Sequence, residues 1–296
     1  MLTIGLLGTE YDGSVQYLKR QVEDRGHKTI TINLTHLPRV VHSTVSPHAV
    51  VHDGHNLFDF DCFYLIDMGL REPFFHVTYD RELWSMLRER YHAFAACEVN
   101  SVHYTVALIK VIAAVKPMIN SPQVYMNRLH LPYQLHHLNA KSYSVPEFAV
   151  GSKQPDGITE SSPLKLDEYK TWEVLSFPKS NHTNVRIWQD KPNGVTFKII
   201  VIGDSALDEA LRYTKPSHPP EKIKTSEVPS DVIATALSAA RDLSVKFGEV
   251  ICTWSDNKVW ITQIDPSPDL RSLKELFGLR VSSALADYLI NTVCNA

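Results

Sequence analysis

Apolar residues along this chain cluster, alternate or recur every three to four positions, and each pattern predicts a different element. Leu2-Thr3-Ile4-Gly5-Leu6-Leu7 and Cys62-Phe63-Tyr64-Leu65-Ile66 are short apolar runs, as expected of buried strands. Between them Val15, Leu18 and Val22 recur at helical spacing, with Gly26 as a C-terminal stop, and Lys28 to Leu34 alternates as a second strand. Strand, helix, strand, strand is the opening of an open α/β sheet with right-handed crossovers. Residues 35–56 are polar and His-rich, which predicts irregular chain with a short strand at Ala49–Val51. Helices are expected over 79–96 and 102–115, and Pro117 to Pro122 closes a first domain. Pro122 and Pro146 then bracket a helix of about 15 residues.

The second half reads differently. Residues 151–170 are rich in Gly, Ser, Pro and charge and predict a linker. Strands are expected at Trp172–Phe177, Val185–Asp190 and Val195–Asp204, and the polar, Pro-rich stretch 206–230 as an exposed segment. Asp231 is placed to cap a helix of about 16 residues with Ile233, Leu237, Ala240 and Phe247 on its apolar stripe. A hairpin follows: two runs rich in β-branched and aromatic residues flank Ser255-Asp256-Asn257-Lys258. Leu276, Val281, Leu285 and Leu289 then predict a final helix.

The hairpin carries the most suggestive chemistry. Strand alternation puts Val259, Ile261, Gln263 and Asp265 on one face, and Pro266 and Pro268 stop the strand behind an amide and a carboxylate. Two oxygen-bearing side chains on a rigid strand can meet one divalent cation, although Mg²⁺ prefers carboxylates. The plain alternative is that Asp265 caps a strand-end turn.

Composition narrows the function classes. The 296 residues can bury a large core, and 44% apolar with 21% charged residues is ordinary for a soluble protein. A net charge of −3 gives no electrostatic reason to expect nucleic acid or an anionic membrane as partner. No apolar run reaches the ~18 residues of a membrane span, and the first residues read as a buried strand rather than a signal peptide. Cys62, Cys97, Cys252 and Cys294 form no Cys-x-x-Cys pair, which suits reduced thiols in a cytoplasm. His48, His52 and His55 lie in a polar loop at non-helical spacing without a cysteine, so solvated side chains are expected rather than a metal site.

The hairpin resembles the last β-hairpin of ATP-grasp ligases, particularly the RimK-type group, whose second strand ends in Glu-x-Asn before a turn of small residues and Pro. Here Gln263-Ile264-Asp265 precedes Pro266-Ser267-Pro268. Asn120-Ser121-Pro122 and Val145-Pro146 are also similar to the group's Asn-x-Pro and Val-Pro segments. Gln189-Asp190 and Lys198 take the places of its adenine-hinge Gln-Glu and its phosphate-reaching Arg. Besides Gln263 in place of Glu, four features depart from the pattern. Ile251 stands where the group has an Asp after Gly248, and Ser176 where it has a Lys. His130 or Leu131 stands near a second Lys, and Pro178-Lys179-Ser180-Asn181-His182 replaces a glycine-rich lid.

The resemblance implies an ATP-grasp fold of mixed α/β and α+β class. Its parts are an N-terminal open α/β domain at 1–118, a central subdomain with linker at 119–190 and a C-terminal subdomain at 191–296. It implies ATP-dependent ligation of a carboxylate to an amine through an acyl phosphate, with a peptide or amino-acid-like substrate. ATP and Mg are the implied cofactors, and a homodimer is the family expectation. Lys198 and Lys179 are then the phosphate groups, with Lys198 catalytic; Gln189 and Asp190 the adenine hinge; Gln263 and Asp265 the Mg²⁺ ligands. The departures support a second reading from another class, a catalytically silent homologue that binds a peptide, a nucleotide or a partner protein. If the pairing of the first hairpin strand differs by a residue or two, Glu249 or Asp256 becomes available in place of Ile251.

Overall fold

The computed structural model describes residues 1–8, 13–34, 43–46, 48–66, 91–128, 131–151, 162–163, 186–189, 192–214 and 219–294. In chain order the first elements are β1 (Thr3–Gly8), α1 (Gly13–Glu23), β2 (Lys28–Asn33), β3 (Ser43–Ser46), β4 (Ala49–His52), β5 (His55–Asn56) and β6 (Cys62–Leu65). Next come α2 (Tyr91–Val115), β7 (Met118–Ile119), α3 (Pro122–Arg128), α4 (Leu131–Ala140), β8 (Phe148–Gly151), β9 (Ser162–Pro163) and β10 (Arg186–Gln189). The last are β11 (Val195–Ile202), β12 (Ser205–Tyr213), β13 (Glu221–Lys224), α5 (Ser230–Asp242), β14 (Phe247–Ser255), β15 (Lys258–Asp265), α6 (Leu270–Phe277) and α7 (Arg280–Cys294). They form two compact units, Met1–Tyr125 with Ser267–Ala296, and Met126–Pro266.

The first unit is built on a parallel sheet of order β2-β1-β6-β7. Parallel strands covered on both faces read as continuous apolar runs, and Ile4, Leu6 and Leu7 of β1 and Phe63, Tyr64 and Leu65 of β6 are all buried. Gly5 lies opposite Phe63, and a Cβ there would run into the Phe63 ring, so this crossing needs glycine. Val15, Leu18 and Val22 of α1 are fully buried, as their spacing predicts.

The C-terminal segment returns to this unit as two helices instead of one. Gly278, at φ 68°, ends α6, whose start is capped by the Asp269 carboxylate accepting from Arg271 N. Arg25, just past α1, ties α7 down by donating from Nε to Asp287 Oδ1 at 2.6 Å and from Nη2 to Ser283 Oγ at 2.7 Å. The expected break near residue 100 does not occur, since Tyr91–Val115 is one helix. The stretch expected to be irregular contains an antiparallel meander, β3-β4-β5, in which His52 is buried.

The second unit holds two antiparallel sheets, β8-β10-β9 and β13-β12-β11-β14-β15. One face of the larger sheet is apolar: Phe197 and Ile199 of β11, Val250 and Cys252 of β14, and Ile261 and Ile264 of β15 are buried. Helix α5 packs on these strands and buries Val232, Ala236, Ala239 and Ala240, so that of the expected stripe Ala240 is buried in the helix while Ile233 and Leu237 are half-buried. The shift arises because α5 stops at Asp242, leaving Phe247 to β14, and Asp231 lies in the first turn without a side-chain cap. The stretch 206–230, expected to be exposed, supplies β12 and β13. Leu207, Ala210 and Leu211 turn inward there, while Arg212–Glu221 (2.6 Å) and Lys222–Glu209 (3.7 Å) pair across the strands.

Candidate functional site

The face of the five-stranded sheet opposite α5 carries the polar side chains. Along β11, Thr196, Lys198 and Ile200 point to this face, and their partners in β14 are Thr253, Ile251 and Glu249. The partners of those residues in β15 are Trp260, Gln263 and Asp265. Gln263 and Asp265 therefore do share a face, and it is the face of Lys198.

The expectation that Val259 and Ile261 lie beside them is not met. The pairing shifts between Ile251↔Gln263 and Cys252↔Ile261, leaving Thr262 as an extra residue whose Oγ1 donates to Ile251 O at 3.1 Å. Such a bulge resets the alternation, so Ile261 faces the apolar side with Cys252 while Gln263 and Asp265 face the polar side. The turn is also shorter than the sequence suggests. Only Asp256 and Asn257 separate the strands, with φ 49° and 60°, the conformation of a two-residue hairpin turn that favours Asp and Asn.

The bulge brings into the site Glu249, which the sequence offered only as an alternative dependent on the strand pairing. Counting back from the turn in a regular ladder puts Gly248 opposite Asp265; with the bulge the partner is Glu249. The carboxylate of Glu249 accepts from the Lys198 ammonium, with Nζ to Oε1 at 2.7 Å, and the two side chains are 12% and 8% exposed. Asp265 is 7% exposed. Gly248, beside Glu249, allows the close approach of β15: a Cβ there would lie 2.9 Å from Asp265 O and 2.6 Å from Val245 Cγ1. Farther along the same face Thr196 and Thr253 share a hydrogen bond of 2.9 Å, and Lys258 Nζ lies 3.8 Å from the Trp260 ring centroid.

Of the other sequence-predicted groups, Gln189 ends β10, where its backbone pairs with Phe148 and Ser162. Lys179 and Asp190, with Ser176 and the segment 178–182, lie outside the described residues. His52 and His55 are cross-strand partners in the first unit, and burial pushes the His52 imidazole below its ordinary value. Among the described residues no three His, Cys, Asp or Glu side chains gather as a metal site, and Cys62, Cys252 and Cys294 are free thiols. The polar sheet face thus offers two buried carboxylates, one amide oxygen and one ammonium. That donor set fits Mg²⁺ brought in by a phosphate ligand, because Mg²⁺ takes one or two carboxylates and completes its shell with phosphate and water.

A parallel α/β unit and a second unit of two antiparallel sheets, joined in this order, define the ATP-grasp fold, and the chain has that fold. Several solved structures share it. The ATP-grasp ligase PsnB, complexed with precursor peptide PsnA2 and AMPPNP, matches with a TM-score of 0.75 at 16% identity, over 98% of this chain and 97% of that one. PsnB with minimal precursor, Mg and ADP gives 0.72 at 15% identity, over 98% and 97%. The macrocyclase MdnC from Microcystis aeruginosa MRC, bound with precursor peptide MdnA, matches at 0.68 and 12% identity, over 98% and 100%. A RimK-domain ATP-grasp protein from Sphaerobacter thermophilus DSM 20745 matches at 0.57 and 15% identity, over 97% and 99%. No protein-family model matches the sequence, and no curated protein matches it.

Proposed function

We propose that this protein is an ATP-dependent carboxylate–amine ligase of RimK-like type acting on a peptide or amino-acid substrate. The observation that carries the reading is the common face of Lys198, Gln263 and Asp265 on adjoining strands of the ATP-grasp sheet. The peptide complexes of PsnB and MdnC support a peptide as the substrate class. Bound ATP and Mg²⁺ would supply the phosphoryl group that activates a carboxylate toward an amine. The chain's own contribution is charge and position, which is most of what phosphoryl transfer asks of a protein. Lys198, with Lys179, neutralises phosphate charge; Asp265 and the weaker ligand Gln263 hold the cation; Gln189 and Asp190 orient the base. The division into subdomains 119–190 and 191–296, a cytoplasmic location and a homodimer belong to the same proposal.

A second reading is favoured by Ile251. It lies opposite Gln263, so a hydrocarbon and an amide occupy a cross-strand pair where the family pattern has two carboxylates. On this reading the protein is a silent homologue that holds a peptide, a nucleotide or a partner protein. Titration calorimetry with AMPPNP, with and without Mg²⁺, separates the two. A ligase site binds the nucleotide with a Mg²⁺ requirement and loses at least about tenfold in affinity in Asp265→Ala. Binding indifferent to Mg²⁺ indicates a nucleotide sensor, and no binding overturns the ligase reading in favour of a peptide or protein partner. A positive result leads to ADP release from ATP and candidate peptides, and light scattering tests the homodimer.

A further inference from the structure

Two carboxylates facing each other across an antiparallel pair have Cβ atoms about 4.5–5.5 Å apart, and like charges in that position destabilise the sheet. Glu249 and Asp265 are such a pair, and both are more than nine-tenths buried. Burial makes the arrangement costlier, because charge removed from water must be compensated locally. A strand core that needed only stability would place apolar residues here, as the other face of the same strands does with Val250 and Ile264. Lys198, one strand away, brings an opposite charge to the pair, with its ammonium 2.7 Å from Glu249. Lysine is a point charge on a flexible four-carbon stem, so it can leave one partner for another without remodelling a strand.

We infer that Glu249 is a cation-binding carboxylate of this protein, paired with Asp265, and that Lys198 is its exchangeable counter-ion. In the ligand-free chain Lys198 stands in for the divalent cation. When the cation arrives with a nucleotide, Glu249 and Asp265 hold the metal, and the Lys198 ammonium passes from Glu249 to the phosphates. Glu249 then replaces the carboxylate that position 251 lacks. The exchange also makes metal and nucleotide binding interdependent, since each completes the site that the other opens. This inference rests on the nucleotide-binding reading for the destination of Lys198, but the metal pair can be tested without nucleotide.

Mn²⁺ is the probe, because it takes the same hard oxygen ligands as Mg²⁺ and reports free ion directly by electron paramagnetic resonance. Wild type, Lys198→Met and the double variant Lys198→Met/Glu249→Gln are titrated with Mn²⁺ alone. Lys198→Met is expected to bind one Mn²⁺ per chain at least about tenfold tighter than wild type, and the double variant to lose that gain. Equal binding by Lys198→Met and wild type, or a gain that survives Glu249→Gln, overturns the inference. Lys198→Gln, which leaves Glu249 a hydrogen-bond donor, repeats the test in a milder form. If neither Lys198 variant folds even in excess Mn²⁺, the inference also fails, because a counter-ion that a metal replaces is not indispensable to folding. Absence of AMPPNP binding by wild type would overturn the nucleotide reading alone and leave the Mn²⁺ result to decide the metal pair.

Discussion

Lys198 and Glu249 form a buried ion pair of 2.7 Å on the polar sheet face. Removing a partner from a buried ion pair leaves an uncompensated charge, which typically costs about 3–5 kcal/mol. Lys198→Met is therefore expected to lower stability to urea by roughly that amount in the absence of metal, and Glu249→Gln by less, since glutamine keeps the shape and can still accept from the ammonium. Urea midpoints at constant m-value check both. The described thiols give a second residue-level expectation. Burial pushes Cys62 and Cys252 up from 9.0 to about 12, while Cys294 is exposed. Iodoacetamide on the native protein should modify Cys294 and spare Cys62 and Cys252, as peptide mass mapping would reveal. The sign for stability follows. Unfolded thiols ionise near their ordinary value while the folded ones keep their protons. Both thiols contribute fully below about pH 9, and stability falls as pH rises from there toward 12.

Between residue and fold, the hairpin β14–β15 decides which groups meet. Its two strands and the carboxylate at its end were legible in the sequence, because β-branched runs flanking a polar loop have a direct physical meaning, whereas the turn is two residues long where four were expected. The partner of Asp265 was not legible. One surplus residue, Thr262, moves every later pairing by a position, and nothing in its side chain announces a bulge. Deleting Thr262 should leave both faces intact in a regular ladder, with circular dichroism and cooperative unfolding retained. Deleting Ile264 should turn Asp265 toward the apolar face and abolish cooperative unfolding. Gly248→Ala should cost about 1–3 kcal/mol, because the added methyl meets backbone at Asp265 as well as Val245. It should also weaken Mn²⁺ binding, since Asp265 is the group displaced. The strands β12 and β13 were missed for a different reason. Their charged residues outnumber their inward Leu207, Ala210 and Leu211, and only the cross-strand pairs make that composition compatible with a sheet.

For the whole molecule, the strand and helix periods indicated the open α/β sheet at the start of the chain, while the ATP-grasp fold class came from the resemblance of the hairpin and the proline segments, and the structure has that fold. What period alone does not reveal is where the end of the chain packs. Val281, Leu285 and Leu289 read as an apolar stripe, and the structure buries that stripe in the unit that contains residues 1–125. Truncation after Pro266 should therefore damage the N-terminal sheet rather than the sheet that carries Asp265. Hydrogen exchange is expected to speed up in α1 and β6, which lose α7, and to change little in β11 and β14. Equal protection in both sheets after truncation would contradict this.

The grouping of Met1–Tyr125 with Ser267–Ala296 also fixes an order of events during synthesis. A ribosome delivers β1, α1 and β6 first and the helices that cover them last, with all of Met126–Pro266 emerging in between. Domains fold as units as they are made. The hairpin bearing Glu249 and Asp265 is therefore complete while the N-terminal sheet still waits for its cover. Until Val281 to Leu289 leave the ribosome, the part of α1 that meets α7 is open to solvent. Nascent chains whose β14–β15 hairpin has emerged but whose Val281 to Leu289 have not are where a chaperone would find this protein, with one unit folded and the other unfinished.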